Sequence, residues 1–245
     1  MIDFSPRPCF ERKIVKIGII GAGKIGGTLT RRLTALGHDV AVANSRGPES
    51  LADLAAETGA KPVSVKDATK FGEVVVVTIP EKNVPDLPRD LFAETPKSVV
   101  VIDTGNYYPR QRDGRIDGIE AGLTESRWVA QQLNWPVIKT FNNIYAEHLL
   151  NLGKPKGTPG RIALPVAGDD DRTKAIVLGL IDELGFDGVD AGSLDESWRQ
   201  QPATPVYAKD FDFAGVKRAL SEASKERKPE WRATENSPGS FDNPT

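Results

Sequence analysis

The stretch "IVKIGIIGAGKIGGTL" (14–29) constrains the fold more than any other part of the chain. A β-branched run ends on Gly21, Gly23 and Gly26, and a stripe of Ile25, Leu29, Leu33 and Leu36 begins at once. That stripe has helical spacing, and Gly37 after it supplies a left-handed stop. A strand feeding a helix through so short a turn is the first half of a parallel βαβ unit. Further β-branched runs follow at "DVAVAN" (39–44), "EVVVVTI" (73–79), "SVVVID" (98–103) and "PVIKTF" (136–141). They are continuous rather than alternating, as strands covered on both faces are. A second helix is expected over about 48–58, opened by Pro48.

The pattern restarts near residue 161 with "RIALPVAG", "DDDRTKAIVLGLIDELGF" and "DGVDAG". This reads as a strand–helix–strand unit with Asp169 or Asp170 as helix cap. A helical segment is expected from Phe211 to Lys225. The predicted fold is therefore α/β, a Rossmann-type doubly wound, mainly parallel sheet with a C-terminal strand–helix–strand extension. The expected division is an arm (1–13), a dinucleotide-binding domain (14–160), an extension of that domain on the acceptor or oligomer side (161–226), and a disordered tail (227–245). No internal repeat is visible.

The glycine stretch fits two phosphate-binding patterns. A P-loop requires Ser or Thr after its lysine to bind magnesium, and Ile25 follows Lys24. It would also place Gly18 in the middle of the first strand, although the acid ending "VVVID" would suit such a site. The dinucleotide pattern fits better. Gly21 permits the tight turn, Gly23 lets the backbone approach a pyrophosphate, and Gly26 allows close helix–strand packing. Ala22, Lys24 and Ile25 complete a turn whose free amides face the diphosphate.

About twenty residues on, a chain selective for NAD would end its second strand in Asp or Glu. Here Asn44, Ser45 and Arg46 stand instead. A carboxylate would repel a 2′-phosphate, whereas Ser45 offers a hydroxyl and Arg46 a guanidinium fork. The expected cofactor is NADP(H).

On these residues the sequence resembles the coenzyme F-420-dependent NADP oxidoreductases, which pass hydride between NADP(H) and a deazaflavin. The similar stretches are "IGIIGAGKIGGTL" (17–29), "NSRGPESL" (44–51), "VVTIP" (76–80), "VIDTGN" (101–106), "VIKTFNNI" (137–144) and parts of 164–194. The resemblance implies that Thr78, Ile79 and Pro80 line the nicotinamide nucleotide. Asn106, Asn142 and Asn143 also end strands, so they are expected to face the same crevice. Asn142 and Asn143 are assigned to orienting the nicotinamide or the acceptor. Where family members carry a further basic residue, this chain has Ser50.

No side chain announces itself as an acid or base. Glu147 and His148 are neighbours, and so point apart on a helix. Tyr145 is a candidate proton donor, Tyr107 and Tyr108 are candidates to stack on a flat acceptor, and Arg110, Arg112 and Arg115 read as a solvated face. The expected function is hydride transfer between NADPH and a deazaflavin, flavin or similar flat acceptor. The alternatives are reduction of a small imine or carbonyl, or a non-catalytic NADP(H) sensor.

Net charge is −2, which argues against a nucleic-acid surface. One cysteine, Cys9, and two histidines exclude an internal disulfide and argue against a metal site. No apolar run is long enough for a membrane span, and the start has no leader-like stretch. The expected context is a cytoplasmic homodimer whose partner is a small-molecule acceptor.

Overall fold

The computed structural model describes residues 14–226 and 239–245. The N-terminal arm with Cys9, and residues 227–238 of the tail, lie outside the described residues.

In chain order, the first half runs β1 (Lys16–Ile20), α1 (Lys24–Ala35), β2 (Asp39–Ala43), α2 (Ala52–Thr58), β3 (Lys61–Pro62), α3 (Val65–Phe71), β4 (Val74–Val77) and β5 (Val100–Asp103). Next come α4 (Asp117–Glu120), α5 (Glu125–Leu133), β6 (Val137–Lys139) and α6 (Ala146–Asn151). The chain closes with β7 (Ala163–Val166), α7 (Asp171–Glu183), β8 (Asp187–Asp190) and α8 (Phe213–Ser221).

The first six strands form one sheet in the order β3-β2-β1-β4-β5-β6. Every pairing in it is parallel. Strand order reverses between β1 and β4, which opens a crevice beyond their carboxyl ends. The expected doubly wound sheet is therefore present. The valines of β4 and the inner residues of β1 and β5 are buried, as continuous apolar strands require when helices cover both faces.

β7 and β8 make a separate two-stranded parallel sheet around α7. A single antiparallel bridge joins the sheets: the Lys139 amide donates to the Ala167 carbonyl at 2.8 Å, and the Ala167 amide returns the bond at 3.0 Å. The apolar core is shared, since Ile17, Leu29 and Ile138 pack in one cluster with Leu164, Val177 and Phe186. Arg127 on α5 reinforces the junction by pairing with Asp169 at 2.8 Å and Asp195 at 2.7 Å.

Local chemistry explains most helix limits. Gly37 follows α1 with φ +87°. Asp170 caps α7 through the Thr173 amide at 2.7 Å, which decides between the two candidate caps. The expected helix 48–58 divides into a 3₁₀ turn, Pro48–Leu51, and α2. The segment expected over 211–225 is shorter, because Asp212 caps its start at the Gly215 amide.

The end of the chain departs from expectation. Residues 239–245 are not a loose tail but rest on the 109–115 segment. Arg110 donates to the Gly239 carbonyl at 2.7 Å, the Thr245 amide donates to the Arg110 carbonyl at 3.1 Å, and the Arg115 guanidinium stands 6.0 Å from the centre of the Phe241 ring. Composition hid this docking because its donors and acceptors are mostly backbone atoms.

Candidate functional site

The phosphate end of the crevice is built almost entirely from backbone. Gly21 holds φ +108°, and its amide donates to the Ala43 carbonyl at 2.8 Å. A side chain there would strike the Thr78 carbonyl, and one on Gly26 would strike the Gly21 carbonyl and the Thr78 side chain. Gly23, by contrast, faces open space. It precedes a 12-residue helix, α1, that has no side-chain cap and no acid in its first turn. The free amides and positive dipole end therefore stay available to an anion. Ala22 and Ile25 turn their side chains against the core.

Gly18, which the P-loop reading required in a loop, lies mid-strand, and a side chain there would collide with the Ala68 carbonyl of α3. Its role is close packing, and the dinucleotide pattern is the one the backbone realises.

An open cavity of about 480 Å³ adjoins this turn, lined by Gly23, Lys24, Thr28, Arg31, Arg46 and Glu147 among others. Lys24 and Arg46 are exposed at its edge. Asn44 shapes the loop rather than facing a ligand. Its Oδ1 accepts the Arg46 amide at 2.9 Å, and its amide nitrogen lies 2.8 Å from the Ser50 hydroxyl. Ser45 is exposed beside them. Arg31 is a lining cation that the sequence reading missed, and it grips Glu57 through two bonds of 2.6 and 2.7 Å. The mutual attraction raises the Arg31 guanidinium and lowers the Glu57 carboxyl. Nothing local in the sequence marks this pair, which spans α1 and α2.

At the other end, Thr78, Ile79 and Pro80 leave β4 half-buried, with the Thr78 amide bonded to the Ile20 carbonyl at 2.8 Å. Asn106 and Asn142 meet as expected. Asn106 donates to the Asn142 carbonyl at 3.0 Å, and Asn142 donates to the Asn106 side chain at 3.1 Å. The orienting role expected of Asn142 needs correction, because its polar atoms are engaged within the chain. Its nitrogen also donates to the Gln200 carbonyl at 2.7 Å, and its oxygen accepts from the Gln200 side chain at 3.1 Å. Asn143 donates to the same Gln200 carbonyl at 3.0 Å. The segment before Gln200 covers this turn, so the asparagines brace it. Phe141, at the head of the turn, holds φ +60°. A left-handed residue that is not glycine is costly, and such strain concentrates at functional turns.

Beneath the turn 104–108 lies a sealed group of charges. Lys139, at the end of β6, is wholly buried and donates to the Gly105 carbonyl at 2.6 Å and to Asp103 at 3.2 Å. Glu125 stands 3.7 Å from the same ammonium. Asp103 also accepts the Ser126 hydroxyl at 2.6 Å and the Gly105 amide at 2.8 Å. Glu81, one residue beyond Pro80, is 0% exposed, and its carboxyl occupies the space where a side chain on Gly105 would lie. Arg112 grips Asp113, with bonds of 2.9 and 2.8 Å, and donates to the Asn106 carbonyl. Asp113 in turn accepts the Tyr108 amide at 2.7 Å.

Burial first, then the nearby Asp103 charge, drives the Glu81 carboxyl well above the ordinary range, against the pull of Lys139. Burial likewise pushes Glu125 up to about 7, with Lys139 drawing it down and Asp103 opposing. Burial alone would depress the Lys139 ammonium, but the surrounding carboxyls outweigh it and hold it above its usual value.

These residues were missed in the sequence. The available signal was a lysine inside a strand whose neighbours are all buried, since a sealed ammonium requires carboxylate partners. Arg112, expected on a solvated face, belongs to this network instead.

The aromatic candidates divide. Tyr107 is fully buried, accepts the Ile116 amide at 3.0 Å and meets Glu120 at 3.2 Å, so it cannot stack on an acceptor. Tyr108 is half-buried, shares a hydrogen bond with the Tyr207 hydroxyl, and has the Arg112 guanidinium 5.1 Å from its ring centre. Ala203 and Ala208, both left-handed at φ +67° and +53°, bracket the segment that carries Tyr207. Tyr145 is 57% exposed, and His148 lies 2.7 Å from Asp210.

Fold and turn together define a dinucleotide-binding α/β protein of the doubly wound type. Residues 16–107, from β1 through the turn after β5, match the family model for NADP oxidoreductases, coenzyme F420-dependent. The resemblance read from the motifs is thus found over that segment. A stretch of 71 residues is 45% identical to YjhV of Escherichia coli (strain K12), covering 29% of this chain and 52% of that protein. The matched stretch therefore spans about half the length of this curated relative.

Among solved structures, SMa0349 of Sinorhizobium meliloti superposes with a TM-score of 0.69 at 29% identity, covering 81% of this chain and 95% of its own. A protein of Arthrobacter sp. FB24, named as a candidate F420-dependent NADP reductase, gives 0.59 at 21% identity, covering 74% and 86%. The reductive aminase of Aspergillus terreus in complex with NADPH and ethyl levulinate gives 0.52 at 14% identity, covering 85% and 60%. The last two share the fold. Among the described residues, no helix is long and apolar enough to cross a membrane.

Proposed function

We propose that this protein is an NADP(H)-dependent oxidoreductase that moves a hydride between NADPH and a flat redox acceptor such as a deazaflavin or flavin. The observation that carries the reading is the pairing of the bare α1 N-terminus with Lys24 and Arg46 around one open cavity. The glycine cradle fits a diphosphate, and Arg46 supplies the cation that a 2′-phosphate needs. The match of residues 16–107 to the NADP oxidoreductase model supports the same cofactor.

When bound, the nicotinamide supplies or accepts the hydride. The chain contributes placement: Thr78–Pro80 form one wall of the ring site, and the braced Asn106–Asn142 turn forms another. Hydride transfer between two rings depends chiefly on holding donor and acceptor carbons close and parallel, so an exposed acid or base is not required.

A second reading, reduction of a small imine or carbonyl, draws on the Tyr108–Tyr207 hydroxyl pair, because such a substrate needs an O–H proton donor. Stopped-flow mixing of the NADPH-loaded protein with a deazaflavin, FMN and a panel of cyclic imines separates the two. Oxidation of NADPH by the flat acceptors supports the first reading, and oxidation by imines alone supports the second. Micromolar NADPH binding with no oxidation by any of them would make the protein a sensor. A homodimer is part of the proposal, and light scattering that shows a fully active monomer would remove it.

A further inference from the structure

The sealed group under the crevice holds more acid than its cations can neutralise. Arg112 and Asp113 compensate each other through two bonds. That leaves the Lys139 ammonium facing Asp103, Glu125 and Glu81, all of them buried. Asp103 receives donors from Ser126, Lys139 and the Gly105 amide. Among the described residues neither oxygen of Glu81 has a hydrogen-bond partner, and Glu125 has only the Tyr107 amide and, at 3.7 Å, the Lys139 ammonium. An ionised carboxylate sealed from water with few or no donors is costly, so these two groups are where the surplus protons reside.

The groups facing Glu125 come from several elements around it. They are Lys139 from β6, Asp103 from β5, the Tyr107 amide and Asp113. Glu125 itself is felt by Glu81, Tyr108 and Tyr207. Its place in the first turn of α5 favours the ionised form, and burial opposes it. Glu125 is therefore held near the point of exchange at neutral pH, while burial and the Asp103 charge push Glu81 well above the ordinary carboxylate range.

This cluster supports the walls of the proposed nicotinamide site: Glu81 continues the Thr78–Pro80 wall, and Lys139 holds the Gly105 carbonyl next to Asn106. The oxidised ring carries a positive charge and the reduced ring carries none. We propose that Glu125, with Glu81 as its neutral neighbour, releases a proton when the crevice holds NADP+ and keeps it when the crevice holds NADPH. Glu125 thereby balances the charge of the ring. The bookkeeping closes over one turnover. The dihydronicotinamide loses a hydride and its ring gains one positive charge, while Glu125 loses one proton and gains one negative charge. The acceptor takes the hydride together with one proton, the number that Glu125 gives up.

The inference rests on the cofactor reading above, and its test needs no acceptor. Calorimetric titrations of the whole protein with NADP+ and with NADPH, near pH 7 in two buffers of different ionisation enthalpy, report protons exchanged on binding. Titration of the 2′-phosphate contributes equally to both ligands and cancels in the difference. NADP+ is expected to release more protons than NADPH, by on the order of half a proton. Glu125→Gln is expected to abolish that difference while still binding both ligands. Glu81→Gln, which preserves a neutral group, is expected to retain it and serves as the folding control. Equal proton exchange for the two ligands in the unaltered protein overturns the inference and leaves the cofactor reading standing. A difference that survives Glu125→Gln also overturns it, and absence of binding by either ligand overturns both.

Discussion

The two ends of the crevice solve the same problem, holding a charged ligand, with opposite materials. At the phosphate end the groups are backbone amides and exposed cations, open to water. At the other end, Lys139, Asp103, Glu81 and Glu125 are sealed and face one another. The open end can change by single substitutions with local effect, because water screens what remains. At the sealed end a change in one member leaves another uncompensated.

Substitutions can break or sharpen that contrast. The largest effect is expected at the glycine turn. Gly26→Val drives a side chain into the Gly21 carbonyl and Thr78, so NADPH affinity, followed by nicotinamide fluorescence, should fall at least about a hundredfold. Affinity within threefold of the unaltered protein would show that the turn does not hold the diphosphate.

Lys139→Met comes next and tests the sealed end. Removing one partner of a buried charge group should cost about 3–5 kcal/mol, read by urea denaturation. Adding Glu125→Gln should recover part of that loss, since one surplus acid is then gone. Additive losses would mean that the two residues are uncoupled.

Arg46→Ala tests the open end. Loss of one charge-assisted bond should raise the Michaelis constant for NADPH about ten- to hundredfold and leave stability and the constant for NADH nearly unchanged. Equal weakening for both cofactors would refute the assignment of Arg46 to the 2′-phosphate.

A smaller effect is expected in the pH dependence of stability. The Glu125 carboxyl is raised on folding, so between roughly pH 4.5 and 7 the native state binds more protons than the unfolded chain. Its contribution to stability is therefore present below that window and is lost as pH rises through it. Urea midpoints should show this decline in the unaltered protein and a flatter profile in Glu125→Gln. Identical profiles would place Glu125 outside the titrating group. The smallest effect, about 1 kcal/mol or less, is expected from deleting residues 239–245, whose described contacts are a few surface bonds to the 109–115 segment.

The same contrast explains what could be read from the sequence. β1, β2, β4, β5 and β6 were visible because strands covered on both faces are written as unbroken apolar runs. The glycine turn was visible because backbone geometry restricts residue choice within a few positions. β3 has only two residues and was missed. So was α5, whose polar first turn looks like loop until Thr124 is seen capping it at the Arg127 amide. The sealed floor was missed for a different reason. Glu81, Asp103, Glu125 and Lys139 come from separate elements, and only the folded sheet brings them together. Asn142 and Asn143 were correctly placed at a strand end, but the chain that covers them lies some sixty positions away at Gln200.

One residue takes part in both the scaffold and the charge group. Beside the shared apolar core and the Arg127 ion pairs, the backbone of Lys139 carries the β-bridge between the six-stranded sheet and the β7–β8 pair, and its side chain anchors the Gly105 carbonyl. Movement at that bridge therefore reaches the residue that holds the crevice turn.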